Sequence, residues 1–252
     1  MPFKEFSIFR RHGRQFVPDL RKVVLPGNFR GRPVISGDIT REEAMTAASL
    51  CPVGAVAVAP CSIDLGKCVF CRECEFALPG RIRFTNDWKI ASNLRENLVI
   101  AAGNDQPVLL DPGKVRKEIL SFFKHALKLR QVSAAGDNSA EMELNAAGNV
   151  NFDMGRYGIE FVASPRHADG LVITGPLSAN MAEALRICYD AVPSPKIIIL
   201  AGTDAISGGI FSGSHALNRE FISKYPVDLF VPGNPPHPLT FINGILDLTG
   251  RR

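Results

Sequence analysis

The sequence has no uninterrupted apolar run of the roughly 18 to 20 residues that a membrane-spanning helix needs, which argues against an integral membrane protein. Arg10 and Arg11 resemble a twin-arginine export signal, but no apolar segment follows them, so we expect a cytoplasmic protein. Internal repeats and low-complexity segments are also missing. With 46% hydrophobic and only 21% charged residues, the 252-residue chain is predicted to be compact and not disordered.

Motifs of several enzyme and nucleotide-binding classes are missing too. The five histidines have no metal-ligand spacing, and no Ser-His-Asp or Cys-His arrangement is recognisable. Gly202, Gly208 and Gly209 follow a predicted strand, but their spacing fits neither a P-loop nor a dinucleotide fingerprint. No platform of aromatic and basic residues is present, so we expect no nucleic-acid partner.

Positive charge is concentrated at the start of the sequence. Residues 1–35 contain two acidic side chains and eight basic ones, namely Lys4, Arg10, Arg11, Arg14, Arg21, Lys22, Arg30 and Arg32. Residues 1–30 therefore predict a basic N-terminal arm. Such an arm could rest on an acidic partner or on anionic lipid headgroups, or it could be a solvated tail.

The rest of the chain divides into three regions by composition. Residues 31–100 hold five of the six cysteines. Residues 101–131 form a predicted connector, in which apolar residues near helical spacing indicate a helix over 114–128. Residues 132–252 alternate strand and helix patterns and predict an α/β domain with a mainly parallel sheet. Its predicted strands are 158–163, 170–174, 196–201 and 227–231, and its predicted helices are 179–191 and 238–248.

Four of the cysteines have ferredoxin spacing. Cys68, Cys71 and Cys74 form a C-x2-C-x2-C run, which lets one tight loop supply three thiolates. Cys51 precedes Pro52, and in two-cluster ferredoxins the cysteine before proline ligates the cluster of the other motif. Together they predict one [4Fe–4S] cluster in a small α+β ferredoxin-like domain. Structural zinc is the main alternative, because four thiolates also suit Zn²⁺.

The second cluster of a two-cluster ferredoxin is not expected. At ferredoxin spacing, its ligand positions are occupied by Arg41, Ala44, Ala47 and Leu78. All four ligands of one site are therefore missing while all four of the other remain. Cys61 and Cys188 stand at no useful spacing and are expected to be inert packing thiols.

The C-terminal half contains four segments typical of one protein family. They are SPRHAD (164–169), LVITGP (171–176), GTDAISGGIF (202–211) and VPGNPP (231–236). In this order they resemble the small subunit of membrane-bound [NiFe] hydrogenases of the formate-hydrogenlyase and energy-converting type, and its homologue in respiratory complex I. The resemblance implies a flavodoxin-like α/β domain docked on a large-subunit homologue, peripheral to the inner face of the cell membrane.

The family's own cluster ligands are missing from this sequence. The family uses a Cys-x-x-Cys pair before an acidic residue, a cysteine after Gly-Thr, and a cysteine within Pro-Gly-Cys-Pro-Pro. The matching positions here are Asp137, Ala140, Asp204 and Asn234, so no cluster is expected there. Asp137, Asp204 and Asn234 could hold Mg²⁺ or Ca²⁺, or polar residues could simply fill the place, with Glu141 as a structural remnant.

Residues and resemblance together predict an iron–sulfur electron-transfer subunit of a membrane-associated hydrogenase-like or complex I-like oxidoreductase. No catalysis is expected from the isolated chain. The first alternative is a structural or assembly subunit in which the cluster is not redox active. The second is an enzyme with an oxygen-ligand metal site at the degenerate positions.

Overall fold

The computed structural model describes residue 13 and residues 16–251. Lys4, Arg10, Arg11 and Arg14 of the predicted basic arm lie outside these residues. The strands of the described residues are β1 (Pro33–Ile35), β2 (Val56–Val58), β3 (Cys61–Asp64), β4 (Ile82–Phe84), β5 (Val99–Ala101), β6 (Leu127–Ser133), β7 (Ile159–Phe161), β8 (Gly170–Thr174), β9 (Ile197–Ala201) and β10 (Leu229–Val231). The α-helices are α1 (Arg41–Leu50), α2 (Glu73–Ala77), α3 (Lys117–Phe122), α4 (Ser139–Ala147), α5 (Ala179–Ala191), α6 (Thr203–Ser207), α7 (Glu220–Lys224) and α8 (Pro238–Leu248).

The described half of the predicted arm is held against the rest of the chain. Leu20 is fully buried, and the Arg21 guanidinium contacts Asp247 Oδ1 at 2.7 Å. The carbonyl of Val23 accepts a hydrogen bond from Trp88 Nε1 at 2.9 Å. For residues 16–30 the solvated-tail alternative is therefore wrong.

The N-terminal region is built from two small antiparallel sheets and two helices. β1 pairs with β4, and the other sheet has the order β2-β3-β5. Helix α1 begins with a reciprocal capping box, in which Thr40 Oγ1 accepts from Glu43 N and Glu43 Oε2 accepts from Thr40 N. Cys51, the first of the predicted cluster ligands, caps the C-terminal end of this helix.

The connector differs from its prediction. The helix predicted over 114–128 is wrong in extent, since α3 is short and β6 begins at Leu127. Leu127 and Leu129 are fully buried on either side of the exposed Lys128, which is the period-two alternation of a strand. Two neighbouring strands pair with β6, and this tertiary pairing overrides the helical spacing that precedes it.

The C-terminal region is a five-stranded parallel sheet with the order β10-β9-β8-β6-β7. Numbered along the chain, this is the flavodoxin order 2-1-3-4-5. Every residue of β8 and β9 is buried, as expected for strands covered by helices on both faces. The predicted fold class, a flavodoxin-like α/β domain with a small α+β domain before it, is confirmed. Helices α5 and α8 have the predicted bounds.

The sheet topology fixes where loops can meet. Strands β6, β8, β9 and β10 end at Ser133, Thr174, Ala201 and Val231, on one edge of the sheet. The strand order reverses between β6 and β8, and open α/β sheets bind ligands outside the strand ends at such a point. One cluster of buried side chains continues from the N-terminal sheets to this edge, with Leu65 and Cys68 from one side and Ala134 and Ile206 from the other.

No helix in the described part of the chain has the length and apolar character needed to cross a membrane.

Candidate functional site: a four-cysteine recess beside the edge of the parallel sheet

The four predicted cluster cysteines line one recess in the N-terminal region. Cys51 caps the end of α1, Cys68 and Cys71 lie in the loop after β3, and Cys74 lies in α2. Cys68 and Cys74 are buried, whereas Cys51 and Cys71 are half-buried. The structure therefore brings together residues that are 23 positions apart along the chain.

Main-chain groups already point at two of the sulfurs. Phe70 N donates to Cys68 Sγ at 3.3 Å, and Ala55 N donates to Cys51 Sγ at 3.2 Å. In the loop that contains Cys68 and Cys71, two non-glycine residues, Phe70 and Arg72, lie in the left-handed region at φ 55° and 70°. Such a conformation costs about 1 to 3 kcal/mol per residue and persists where the surroundings impose it, often at functional sites.

Burial keeps the two inner thiols protonated. It raises the pKa of Cys68 to about 12 and that of Cys74 to about 11, and the neighbouring cysteines raise both pKa values further. Four thiolates in this recess would repel one another unless a metal centre balanced their charge. Among the described residues, no three His, Cys, Asp or Glu side chains lie close enough together to hold a metal ion.

The donor set nevertheless suits a metal–sulfur centre. The walls of the recess are mostly apolar, with Val53, Ile63 and Phe84 lining it. Four sulfurs, two of them with main-chain N–H donors, and apolar walls match the surroundings that iron–sulfur clusters use. Four sulfurs also match tetrahedral zinc, which the geometry alone does not distinguish from iron.

The other two cysteines lie elsewhere. Cys61 is buried in β3, and burial raises the pKa of its thiol. Cys188 is half-buried in α5. Neither of them lines the recess.

The four degenerate family positions also come together. Asp137, Ala140, Asp204 and Asn234 line one pocket at the edge of the large sheet, beyond the ends of β6, β9 and β10. The loops there are closely packed, because a Cβ on Gly136 would lie 3.2 Å from Gly175 Cα. The four positions that the family resemblance marks as cluster-ligand positions thus line one pocket, and none of them supplies sulfur.

The charges in this pocket are unbalanced. Burial raises the pKa of Asp204, and the neighbouring Asp137 and Glu141 raise it further. Hydrogen bonds from Ser139 lower the pKa of Asp137. Glu141 Oε1 accepts from Thr174 Oγ1 at 2.6 Å, which gives this carboxylate a structural role. Glu141 Oε2 and Asp204 Oδ1 are shielded from solvent and meet no hydrogen-bond partner among the described residues.

The sequence did not predict three residues whose hydrogen bonds hold the cysteine loop or helix α6. Thr203 Oγ1 donates to Cys68 O at 2.9 Å, and Arg30 Nη1 donates to Phe70 O at 3.0 Å. Arg219 is half-buried and, within the α/β domain, donates to the carbonyls of Ala205 and Ile206 at 2.8 Å. No spacing rule could have identified these partners, because the Thr203 contact spans 135 residues.

Comparison with known proteins identifies the C-terminal region. Residues 138–248 match the family model of the NADH ubiquinone oxidoreductase 20 kDa subunit. The chain is 36% identical over 129 residues to a probable membrane-bound hydrogenase subunit, mbhJ, of Pyrococcus furiosus, covering 51% of this chain and 77% of that protein. It is 42% identical over 107 residues to one subunit of the NADH-quinone oxidoreductase of Desulfovibrio desulfuricans, covering 42% of this chain and 58% of that relative.

Among solved structures, an archaeal membrane-bound sulfane sulfur reductase matches with 28% identity and a TM-score of 0.44, over 50% of this chain and 70% of that chain. The family model begins at residue 138 and so leaves the four-cysteine region outside the match. On the sequence identity over most of the hydrogenase subunit, together with the family model, the chain belongs to the family of the NADH ubiquinone oxidoreductase 20 kDa subunit.

Proposed function

We propose that this chain is an iron–sulfur electron-transfer subunit of a membrane-associated, hydrogenase-like or complex I-like oxidoreductase. Its redox group is one [4Fe–4S] cluster held by Cys51, Cys68, Cys71 and Cys74. The observation that carries the proposal is the recess that these four cysteines line, with two of the sulfurs accepting main-chain N–H bonds. Residues 31–100 form the ferredoxin-like domain in this proposal, and residues 132–252 form the domain that binds the partner subunits.

When bound, such a cluster accepts and releases single electrons. The residues of the chain contribute the environment. Val53, Ile63 and Phe84 exclude water from the recess, and the N–H groups of Ala55 and Phe70 stabilise negative charge on sulfur. These groups set how easily an electron is added, because hydrogen bonds to sulfur and solvent exposure tune the cluster potential.

The partners follow from the family membership. The two relatives belong to a membrane-bound hydrogenase and to an NADH-quinone oxidoreductase. We therefore place this chain against a large-subunit homologue at the cytoplasmic face of the cell membrane, with no nucleic acid involved. Because the degenerate positions carry no sulfur, the electron donor and the acceptor both belong to other subunits.

A second candidate is a structural or assembly subunit in which the cluster holds the loops together and transfers no electrons. The close packing between the cysteine loop and the sheet edge favours it, since metal binding contributes directly to folding in small cysteine-ligated domains. Electron paramagnetic resonance on the anaerobically purified full chain separates the two candidates.

A signal that appears on chemical reduction and disappears on reoxidation is the expected result for a relay. Full iron content with no reducible signal supports the structural candidate. Zinc in place of iron contradicts both candidates, and elemental analysis of the same sample detects it.

A further inference from the structure

A side chain of the α/β domain reaches into the cysteine loop. Thr203 is fully buried at the start of α6, directly before the degenerate position Asp204. Its hydroxyl donates to the carbonyl of Cys68 at 2.9 Å. The bond is therefore made between the loop that holds a ligand position in the family and the loop that holds cysteine ligands in this chain.

The rest of the Cys68 turn is also enclosed by other parts of the chain. A Cβ on Gly66 would lie 2.8 Å from Ile206 Cγ2 and 2.6 Å from the Arg95 guanidinium carbon, so a larger residue there would displace these side chains. Arg95 is fixed in turn by two bonds to Asp64, at 2.7 and 2.8 Å. The carbonyl of Phe70 is held by Arg30.

We propose that Thr203 is a positioning residue for the four-cysteine site, through which the α/β domain fixes the direction of the Cys68 sulfur. The inference rests on the proposed function, because it assumes that the four cysteines bind a cluster. Its physical basis is the free-energy cost of leaving a buried carbonyl without a hydrogen-bond donor. A carbonyl that has lost its donor can recover a partner only if the turn shifts, and the Cys68 sulfur would shift with it.

The test uses Thr203→Val, which keeps the shape of the side chain and removes the hydroxyl. The matched control is Thr240→Val, because Thr240 is also buried and donates to a main-chain carbonyl, that of Trp88 at 2.7 Å. Thr203→Ser keeps the hydroxyl and serves as the rescue variant. All are full-length chains purified without oxygen, and iron content is counted first.

The measurements are the rate of iron release to a chelator under anaerobic conditions and the cluster midpoint potential. Thr203→Val should release iron about tenfold faster than the unchanged chain and shift the potential, whereas Thr203→Ser and Thr240→Val should resemble the unchanged chain. If Thr203→Val keeps the normal rate and potential, or if Thr240→Val changes them equally, Thr203 has no positioning role. An unchanged chain without iron overturns the proposed function itself and this inference with it.

Discussion

Two places in this chain stand side by side, and they differ in the atoms that line them. The recess in the N-terminal region is lined by four cysteines, and the pocket at the sheet edge is lined by Asp137, Ala140, Asp204 and Asn234. In the family that the sequence resembles, the second place holds the cluster, whereas in this chain sulfur lines only the first. We infer that the fold keeps the loops of a ligand site whose ligands have been replaced.

The two places also differ in how charge is handled. In the recess, burial keeps Cys68 and Cys74 as neutral thiols until a metal balances their charge. At the sheet edge, two carboxylate oxygens, one on Glu141 and one on Asp204, are shielded from solvent without a partner among the described residues. The proposed metal centre would balance the thiolate charge in the recess, whereas the edge carries an electrostatic penalty that its surrounding bonds must offset.

The largest effect is expected from removing one sulfur. Cys71→Ser should reduce the iron content from about four atoms per chain to nearly none, because a cubane needs all four thiolates for full stability. Elemental analysis after anaerobic purification measures this. Cys188→Ser changes the half-buried cysteine outside the recess and should keep the full content. Equal iron content in Cys71→Ser and the unchanged chain would contradict the proposal that the recess, and not the sheet-edge pocket, holds the cluster.

The next effect concerns the sheet edge, which depends on Arg219 for its shape. This half-buried guanidinium donates to the carbonyls of Pro176, Ala205 and Ile206, residues that are themselves buried, at 2.8 to 3.0 Å. Arg219→Met should lower the free energy of unfolding by about 3 kcal/mol or more, because buried carbonyls lose their donors. Urea unfolding measures the change.

Arg186 provides the matched control for that experiment. It lies on an exposed face of α5 and is paired with Glu183 and Asp190. Arg186→Met should cost less than about 0.5 kcal/mol. Similar losses in the two variants would mean that the bonds of Arg219 do not support the edge.

The smallest effect is a gain in stability. Because burial raises the pKa of Asp204 above its ordinary 3.8, the charged form destabilises the folded state at neutral pH. Asp204→Asn should therefore raise the free energy of unfolding by about 1 kcal/mol at neutral pH, with iron content unchanged. The gain should shrink as the pH falls through the raised pKa toward 3.8, where the carboxyl of the unchanged chain is protonated in both states.

Asp137→Asn should have the opposite sign, since hydrogen bonds from Ser139 lower the pKa of that carboxylate and stabilise its charged form. Unfolding at neutral and at mildly acidic pH distinguishes the two variants. A gain for Asp204→Asn that increases on acidification would contradict the assignment of an electrostatic penalty to this residue.

The sequence did not predict all parts of the fold and of the two sites equally well. Helix α5, helix α8 and strand β8 have their predicted bounds, because long apolar periodicity or a continuous apolar run marks them. Strand β6 was missed, since its short alternation follows apolar residues near helical spacing and its pairing with β7 and β8 is not visible in the sequence. Motif spacing predicted a shared site for the four cysteines, and the family resemblance predicted one for the four degenerate positions.

Spacing could not identify the bonds from Arg30 and Thr203 to the cysteine loop, because they depend on how the N-terminal arm and the α/β domain pack against that loop. A hydroxyl 135 residues away in sequence leaves no periodic signal. Such contacts become visible only when both loops are placed in one structure.

The most direct test of the central claim is the iron and sulfide content of the anaerobically purified, full-length chain. We predict about four of each per chain, all bound at the recess and none at the sheet edge. About eight of each would show that the edge still holds a cluster, and none would show that the four cysteines serve another purpose. Either result would contradict the difference between the two places on which this account depends.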